Sequence, residues 1–222
     1  SPLASPLASS LASPLASPLA TPHSTDAGEI AVLEDDGRFF YTDKNGNVIA
    51  DVAAIGQSFY RTHGDDYDCI AVFLSSGLTT WLGSPTAIAS AFIVRNAIQG
   101  IGVDPYDVGA SLGSPSRLQW VLSMNGLHRY PADPTADISG DSFSTLDVLG
   151  HEFGHRWLAY TLIDSAGTPS DVLLGRAQQH WSFFFDSDAS LMEGGNWSVP
   201  QPDSFRIDAV SEGYGNLDLY LM

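Results

Sequence analysis

The sequence predicts a mixed α/β (α+β) fold, in which one mixed β-sheet packs against helices and a small β-hairpin region precedes it. Apolar runs of strand length, bounded by Gly, Pro, Asn and Asp, recur along the chain. Between them lie segments whose apolar residues are spaced as in helices. Because 44% of the 222 residues are hydrophobic, the chain can bury a substantial core. Strands interleaved with helices are typical of layered α/β and α+β domains.

Residues 1–26 are predicted to be an extended leader outside the core. Residues 1–20 read SPLA SPLA SSLA SPLA SPLA, a four-residue repeat with proline in four of its five copies. Proline removes an amide donor and disfavours helix in the residue before it. Such a leader is typical of a tether or pro-segment of an exported protein.

Residues 27–56 are predicted to form a small β appendage, and residues 57–222 the main domain. The strand candidates "EIAVLE", "RFFYT" and "NVIADV" are separated by DDG and KNGN, which are hairpin signals. The patterns then predict a helix in "DVAAIGQSFYRTH", a buried strand in "DCIAVFL", an alanine-rich helix in "TAIASAFIVRNAIQG" and a strand in "RLQWVLSM". Because "LDLYLM" ends the sequence on an apolar segment, we expect the domain to be truncated there.

The charge balance excludes several classes of partner. Asp and Glu total 26 against 9 Lys and Arg, so the net charge is −17 at pH 7. Such a chain repels nucleic-acid phosphates and anionic lipid, and no apolar run is long enough to span a bilayer. We therefore expect a secreted, extracellular monomer. The single cysteine, Cys69, excludes an internal disulfide within these residues and is interpreted as a buried core residue.

The stretch "STLDVLGHEFGHRWLAYTL", residues 144–162, predicts a well-capped amphipathic helix. Ser144 can cap it, and Asp147 follows at the capping-box position near the positive end of the helix dipole. One helix face carries a large apolar stripe, formed by Leu149, Phe153, Trp157 and Tyr160. Gly154 lowers helix stability, and we expect it to allow another chain segment to approach closely.

A second face of this helix carries His151, Glu152 and His155. Histidines at i and i+4 project from the same side, one turn apart, and can therefore share one tetrahedral Zn²⁺. Glu152 would then face the open metal position, where it can take a proton from an activated water.

The segment "HEFGH" is the HExxH signature and resembles the active-site helix of the zincin superfamily of zinc metallopeptidases. The resemblance implies zinc ligands at His151 and His155 and a general base at Glu152. It also implies a mixed sheet before the helix whose edge strand pairs with an extended peptide, and "RLQWVLSM" is the predicted edge strand. The third histidine of the metzincin branch would fall at Thr161, so that extension is absent.

Two residues further along are candidates for the third zinc ligand. His180 lies where the predicted helix "SDVLLGRAQQ" meets the predicted strand "WSFFF", and Ser190-Leu191-Met192 after it resembles the metzincin methionine turn. Glu193 has the ligand type of the thermolysin-like branch, but the two following glycines would end a helix there. His180 is therefore the favoured ligand and Glu193 the alternative.

The sequence also offers candidates for an oxyanion donor and for a second metal site. A donor to the oxyanion of a peptide-bond intermediate could be Tyr214, Tyr220 or His128. The run that begins at Asp186 resembles the start of a calcium loop, which makes Ca²⁺ a candidate second metal, although Leu191 stands where an EF-hand has glycine.

These patterns predict a secreted zinc-dependent metalloendopeptidase that hydrolyses a protein or peptide substrate. Two alternatives remain: a zinc hydrolase of a non-peptide substrate, and a non-catalytic binding or adhesion module on a zincin-like scaffold.

Overall fold

The computed structural model describes residues 24–27, 30–75, 87–138, 140 and 142–222. The chain divides into two compact units, Ser1–Glu34 and Asp35–Met222. In the first unit, the described residues form an antiparallel pair of strands, β1 (Ser24–Ala27) and β2 (Ile30–Leu33). The second unit is a mixed α/β structure of several small sheets and few helices.

The second unit begins with a hairpin and a helix that the sequence predicts. β3 (Phe40–Thr42) and β4 (Val48–Ala50) pair antiparallel across the KNGN turn, where Gly46 has a left-handed φ of +86°. α1 (Val52–Tyr60) begins after Asp51, whose carboxylate accepts a hydrogen bond from a backbone N–H in the first turn.

The remaining elements lie between residues 69 and 221. In chain order they are β5 (Cys69–Leu74), β6 (Ser90–Ile93), β7 (Arg95–Asn96), β8 (Tyr106–Asp107), β9 (Trp120–Gly126), α2 (Thr145–Gly154), β10 (Ile163–Ser165), β11 (Thr168–Ser170), β12 (Trp181–Asp186), β13 (Glu193–Gln201), β14 (Ser204–Ala209) and α3 (Asn216–Leu221). β12, β13 and β14 form one sheet, while β7 pairs with β8 and β10 with β11. Within the described residues, no helix is long and apolar enough to cross a membrane.

The central sheet has the order β5-β9-β6, with β5 parallel and β6 antiparallel to β9. The prediction that "RLQWVLSM" is the edge strand is therefore wrong, because β9 is paired on both sides. Its seven residues are all buried, as expected for a central strand covered on both faces. The strand at the edge towards α2 is β6.

The core lies on both faces of β9, because successive side chains of a strand point to opposite sides. One cluster contains Trp120, Leu122 and Met124 of β9 with Ile138 and Val148. The cluster on the other face contains Val121 with Val94, Leu112 and Leu118. Val148 belongs to α2, so the first cluster anchors that helix against the sheet.

Two segments predicted as helices form other structures. The described part of "TAIASAFIVRNAIQG" contains β6 and β7, since pairing with β9 outweighs the helix propensity of its alanines. In "SDVLLGRAQQ", Ser170 ends β11 and a 3₁₀ turn forms at Arg176–Gln178. Ala177 and Gln178 have φ values of +57° and +56° there, which no right-handed α-helix can accommodate.

Candidate metal centre

The helix that carries the HExxH sequence is capped as its local residues predict, but it ends at Gly154, so Trp157 and Tyr160 of the predicted apolar stripe lie beyond it. Ser144 and Asp147 make a reciprocal capping box, in which the Ser144 N–H donates to the Asp147 carboxylate (2.7 Å) and the Asp147 N–H donates to the Ser144 hydroxyl (3.2 Å). α2 ends at Gly154, and His155 follows with helical angles (φ −58°, ψ −11°). His155 therefore stays on the same side of the helix as His151, with their ring centroids 4.9 Å apart.

His180 lies directly opposite these two histidines. The turn at Arg176–Gln178 and the start of β12 place its ring 5.0 Å from that of His151 and 4.9 Å from that of His155. One ring nitrogen from each of the three histidines lies within 4.8 Å of the others. Among the described residues, these three histidines form the group of potential metal ligands that is compact enough to hold one metal ion.

The Nδ1 atom of each histidine is bonded to a backbone carbonyl. His151 Nδ1 donates to Leu191 O (2.5 Å), His155 Nδ1 to Leu158 O (3.3 Å) and His180 Nδ1 to Arg176 O (2.8 Å). A carbonyl oxygen only accepts hydrogen bonds, so each Nδ1 must carry the proton of a neutral ring. The lone pair of each imidazole is then on Nε2, as in metal-binding histidines whose second nitrogen is held by the protein.

The Nε2 atoms of His151 and His180 are 3.2 Å apart. With both Nδ1 atoms protonated, these two nitrogens face each other as acceptors, an arrangement that a cation stabilises. Burial lowers the pKa of His151 and His180, and lowers that of His155 to about 3. The three rings are therefore neutral at pH 7, as metal binding requires.

Glu152 is buried beside this cluster. Burial raises the pKa of its carboxyl to about 7, while the charge of Arg176 and a hydrogen bond from the Ala91 backbone oppose that rise. Ala91 belongs to β6, so the edge strand of the central sheet contacts the acid next to the first histidine. A carboxyl with a pKa near 7 can both accept and release a proton at neutral pH.

Glycines in α2 allow the segment of Ser190, Leu191 and Met192 to pack directly on the helix. A Cβ added at Gly154 would lie 2.5 Å from the sulfur of Met192, and one at Gly150 would lie 2.9 Å from a methyl of Leu191. The close approach predicted at Gly154 is thus confirmed. Met192 is fully buried.

Asp218 joins the two segments that hold His151 and His180. Its buried carboxylate accepts hydrogen bonds from Trp181 Nε1 (2.7 Å), the Ser190 hydroxyl (2.6 Å) and the Gly215 N–H (2.8 Å). Trp181 follows His180, and Ser190 precedes the Leu191 carbonyl that holds His151. No sequence signal identified Asp218, because its contacts are 28 and 37 residues away in the chain.

Glu193, the alternative third ligand, lies beside the group rather than in it. Its Oε1 atom is 3.9 Å from His180 Nε2 and accepts hydrogen bonds from Nε (3.1 Å) and Nη2 (2.5 Å) of Arg176. Arg176 Nη2 also donates to His180 Nε2 (3.0 Å). Sequence reasoning missed Arg176, since its position depends on the left-handed residues that follow it.

The other predicted residues lie outside the histidine group. The Tyr214 hydroxyl donates to Gly150 O (2.5 Å) from within a hydrophobic cluster. Tyr220 is 84% exposed on α3, and His128 is exposed in the turn after β9.

In the acidic run proposed for calcium, several side chains already bond within the protein. Asp186 accepts the Trp197 N–H, and Asp188 accepts a side-chain amide hydrogen of Asn216. Calcium binding there stays a prediction.

Comparison with protein-family models, curated proteins and solved structures finds no match to this chain. The function of this chain must therefore be inferred from its residues and their geometry.

Proposed function

We propose that this protein is a zinc-dependent metallopeptidase of the zincin type that hydrolyses peptide bonds outside the cell. His151, His155 and His180 are the proposed zinc ligands, and Glu152 is the proposed general base. One observation carries the proposal: three neutral imidazoles converge, two of them buried and that of His151 half-buried. Each has Nδ1 on a carbonyl oxygen, and the Nε2 atoms of His151 and His180 are 3.2 Å apart.

Three histidine nitrogens fit zinc better than calcium or magnesium. Imidazole is a preferred zinc ligand, whereas calcium and magnesium select oxygen ligands. Three protein ligands also match a catalytic centre, which keeps its fourth position open. A zinc ion held there supplies a Lewis acid and lowers the pKa of a coordinated water to about 7.

Glu152 supplies the proton transfers of the proposed reaction. Its carboxylate takes a proton from the attacking water and passes it to the leaving amine as the peptide bond breaks. The pKa of about 7 suits both steps at neutral pH. The Ala91 backbone that lowers the pKa of Glu152 belongs to β6, the edge strand from which an extended peptide would gain backbone hydrogen bonds.

The extracellular setting agrees with the strongly acidic composition and with the Pro-rich leader. Protein or peptide is the proposed substrate, since a chain with a net charge of −17 repels nucleic acid.

The test is the Glu152→Gln substitution, with zinc content and proteolysis measured on the same preparations. We expect wild type to carry one zinc ion per chain and to cleave unfolded protein substrates. E152Q should retain the metal and lose activity by about 100- to 10,000-fold, because only the proton acceptor is removed. Glu212→Gln, at an exposed glutamate, is the matched control and should behave as wild type.

Three results would contradict the proposal in different ways. Proteolysis by E152Q at the wild-type rate would exclude Glu152 as the base. Absence of zinc from the purified wild type, even after zinc is added, would favour the non-catalytic module. A zinc-loaded wild type that cleaves esters or glycosides but no peptide would favour the non-peptide hydrolase.

A further inference from the structure

Arg176 brings a positive charge into contact with the histidine group. Its Nη2 atom lies 3.0 Å from His180 Nε2, the same nitrogen that faces His151. The side chain is 61% exposed, so the guanidinium stands at the open border of the group and is accessible to a bound molecule. Its remaining N–H groups are available to a further acceptor, because an arginine carries five donors.

Glu193 holds this guanidinium in place. Its Oε1 atom accepts from both Nε and Nη2 of Arg176, and its side chain is only 16% exposed. Glu193 has a φ of +75°, a left-handed conformation that is unfavourable for a residue with a side chain. Ala177 and Gln178, beside Arg176, are also left-handed. Strained backbone is thus present on both sides of the ion pair, a pattern that recurs at functional sites.

Among the described residues, few other hydrogen-bond donors are placed to stabilise a negative charge at this site. The Tyr214 hydroxyl is bonded to Gly150 O, and Tyr220 and His128 are exposed to solvent. Arg156, the next arginine along the chain from α2, is buried and donates to Gln119. Arg176 is the arginine that contacts the group.

We propose that Arg176 binds the developing oxyanion of the substrate carbonyl and that Glu193 positions it. This role rests on the proposed peptidase function. When water adds to the carbonyl, its oxygen forms a bond to carbon, its proton goes to Glu152, and the carbonyl π electrons move to the substrate oxygen. Arg176 donates hydrogen bonds to that oxygen and keeps all its protons. A guanidinium is suited to this task because it stays charged at any pH at which the protein is folded.

The contact between Arg176 and His180 also affects zinc binding. Arg176 Nη2 and a zinc ion compete for the same Nε2 lone pair, so the guanidinium must leave His180 when metal binds. Removing Arg176 should therefore leave zinc affinity unchanged or increase it. A residue that only supported the metal ligands would show the opposite behaviour.

The test compares wild type with Arg176→Ala and Arg176→Lys. Zinc Kd is measured by competition with a chromophoric chelator, and kcat and KM with a fluorogenic peptide. For R176A we expect kcat to fall by about 100- to 1,000-fold, as when other oxyanion donors are removed, with KM within a few-fold of wild type. Zinc should bind at least as tightly as to wild type. Added guanidinium, well below unfolding concentrations, should restore part of the R176A rate, and R176K should be intermediate.

Arg206→Ala is the matched control, because Arg206 is 65% exposed and also paired with a carboxylate, that of Asp208. It should retain the wild-type rate. An R176A variant with wild-type kcat would overturn the role of Arg176, and so would weakened zinc binding without guanidinium rescue. Wild type without zinc or peptidase activity would instead overturn the proposed function itself.

Discussion

The choice between His180 and Glu193 as third ligand leads to a direct prediction for zinc affinity. His180→Ala removes one of three converging Nε2 atoms, whereas Glu193→Gln removes a carboxylate that lies outside the group. We expect H180A to bind zinc much more weakly than wild type and E193Q to bind it within tenfold of wild type. The two variants therefore separate the two candidates.

The size of the H180A effect follows from the number of ligands. Structural sites with four protein ligands bind zinc with about 10–16 kcal/mol near neutral pH, or roughly 2.5–4 kcal/mol for each ligand. Loss of one ligand should thus weaken binding by roughly 100- to 1,000-fold. Glu193 cannot replace the lost nitrogen without leaving Arg176, to which its Oε1 atom is bonded twice.

Competition with a chelator of known affinity at neutral pH measures both constants, and circular dichroism of the zinc-free proteins checks that each variant folds. H180A with the wild-type Kd would refute the assignment of His180. E193Q with a Kd raised by more than 100-fold would instead make Glu193 a ligand.

Two further predictions concern stability and reactivity away from the candidate metal centre. Gly102→Ala should lower the free energy of unfolding, measured by urea titration, by about 1–3 kcal/mol more than Gly100→Ala does. Both glycines have φ near +90°, but only a Cβ added at Gly102 would meet backbone, 2.0 Å from Tyr160 O. Equal losses in the two variants would contradict this packing. Burial raises the pKa of the Cys69 thiol to about 12. At pH 8 the thiolate fraction is then ~10⁻⁴, so alkylation of Cys69 should be about 1,000-fold slower in the folded protein than in urea. Equal rates in the two states would show that the thiol is not protected.

Features that depend on neighbouring residues were predictable from the sequence. The capping box of Ser144 and Asp147, the i and i+4 spacing of His151 and His155, and the KNGN hairpin all form as predicted. Each is specified by residues within about one turn of helix or one tight turn, so no distant contact is needed to define it.

Features that depend on pairing between distant segments were not predictable in the same way. The alanine-rich segment before residue 100 has good helix propensity, yet it forms β6 because β9 offers backbone hydrogen bonds along its length. The same pairing makes β9 a central strand rather than the predicted edge. Local propensity amounts to less than 1 kcal/mol per residue and is readily outweighed by such tertiary contacts.

Local sequence patterns predict a helix that carries His151, Glu152 and His155, and they leave two candidates, His180 and Glu193, for a third zinc ligand. Contacts between distant segments bring His180 within reach of the other two histidines and leave Glu193 beside them. Left-handed residues at Ala177, Gln178 and Glu193 decide this arrangement, and a sequence pattern does not signal a positive φ in residues other than glycine and asparagine. Arg176 reaches the histidines through the same turn, so its contact with His180 also depends on the folded chain.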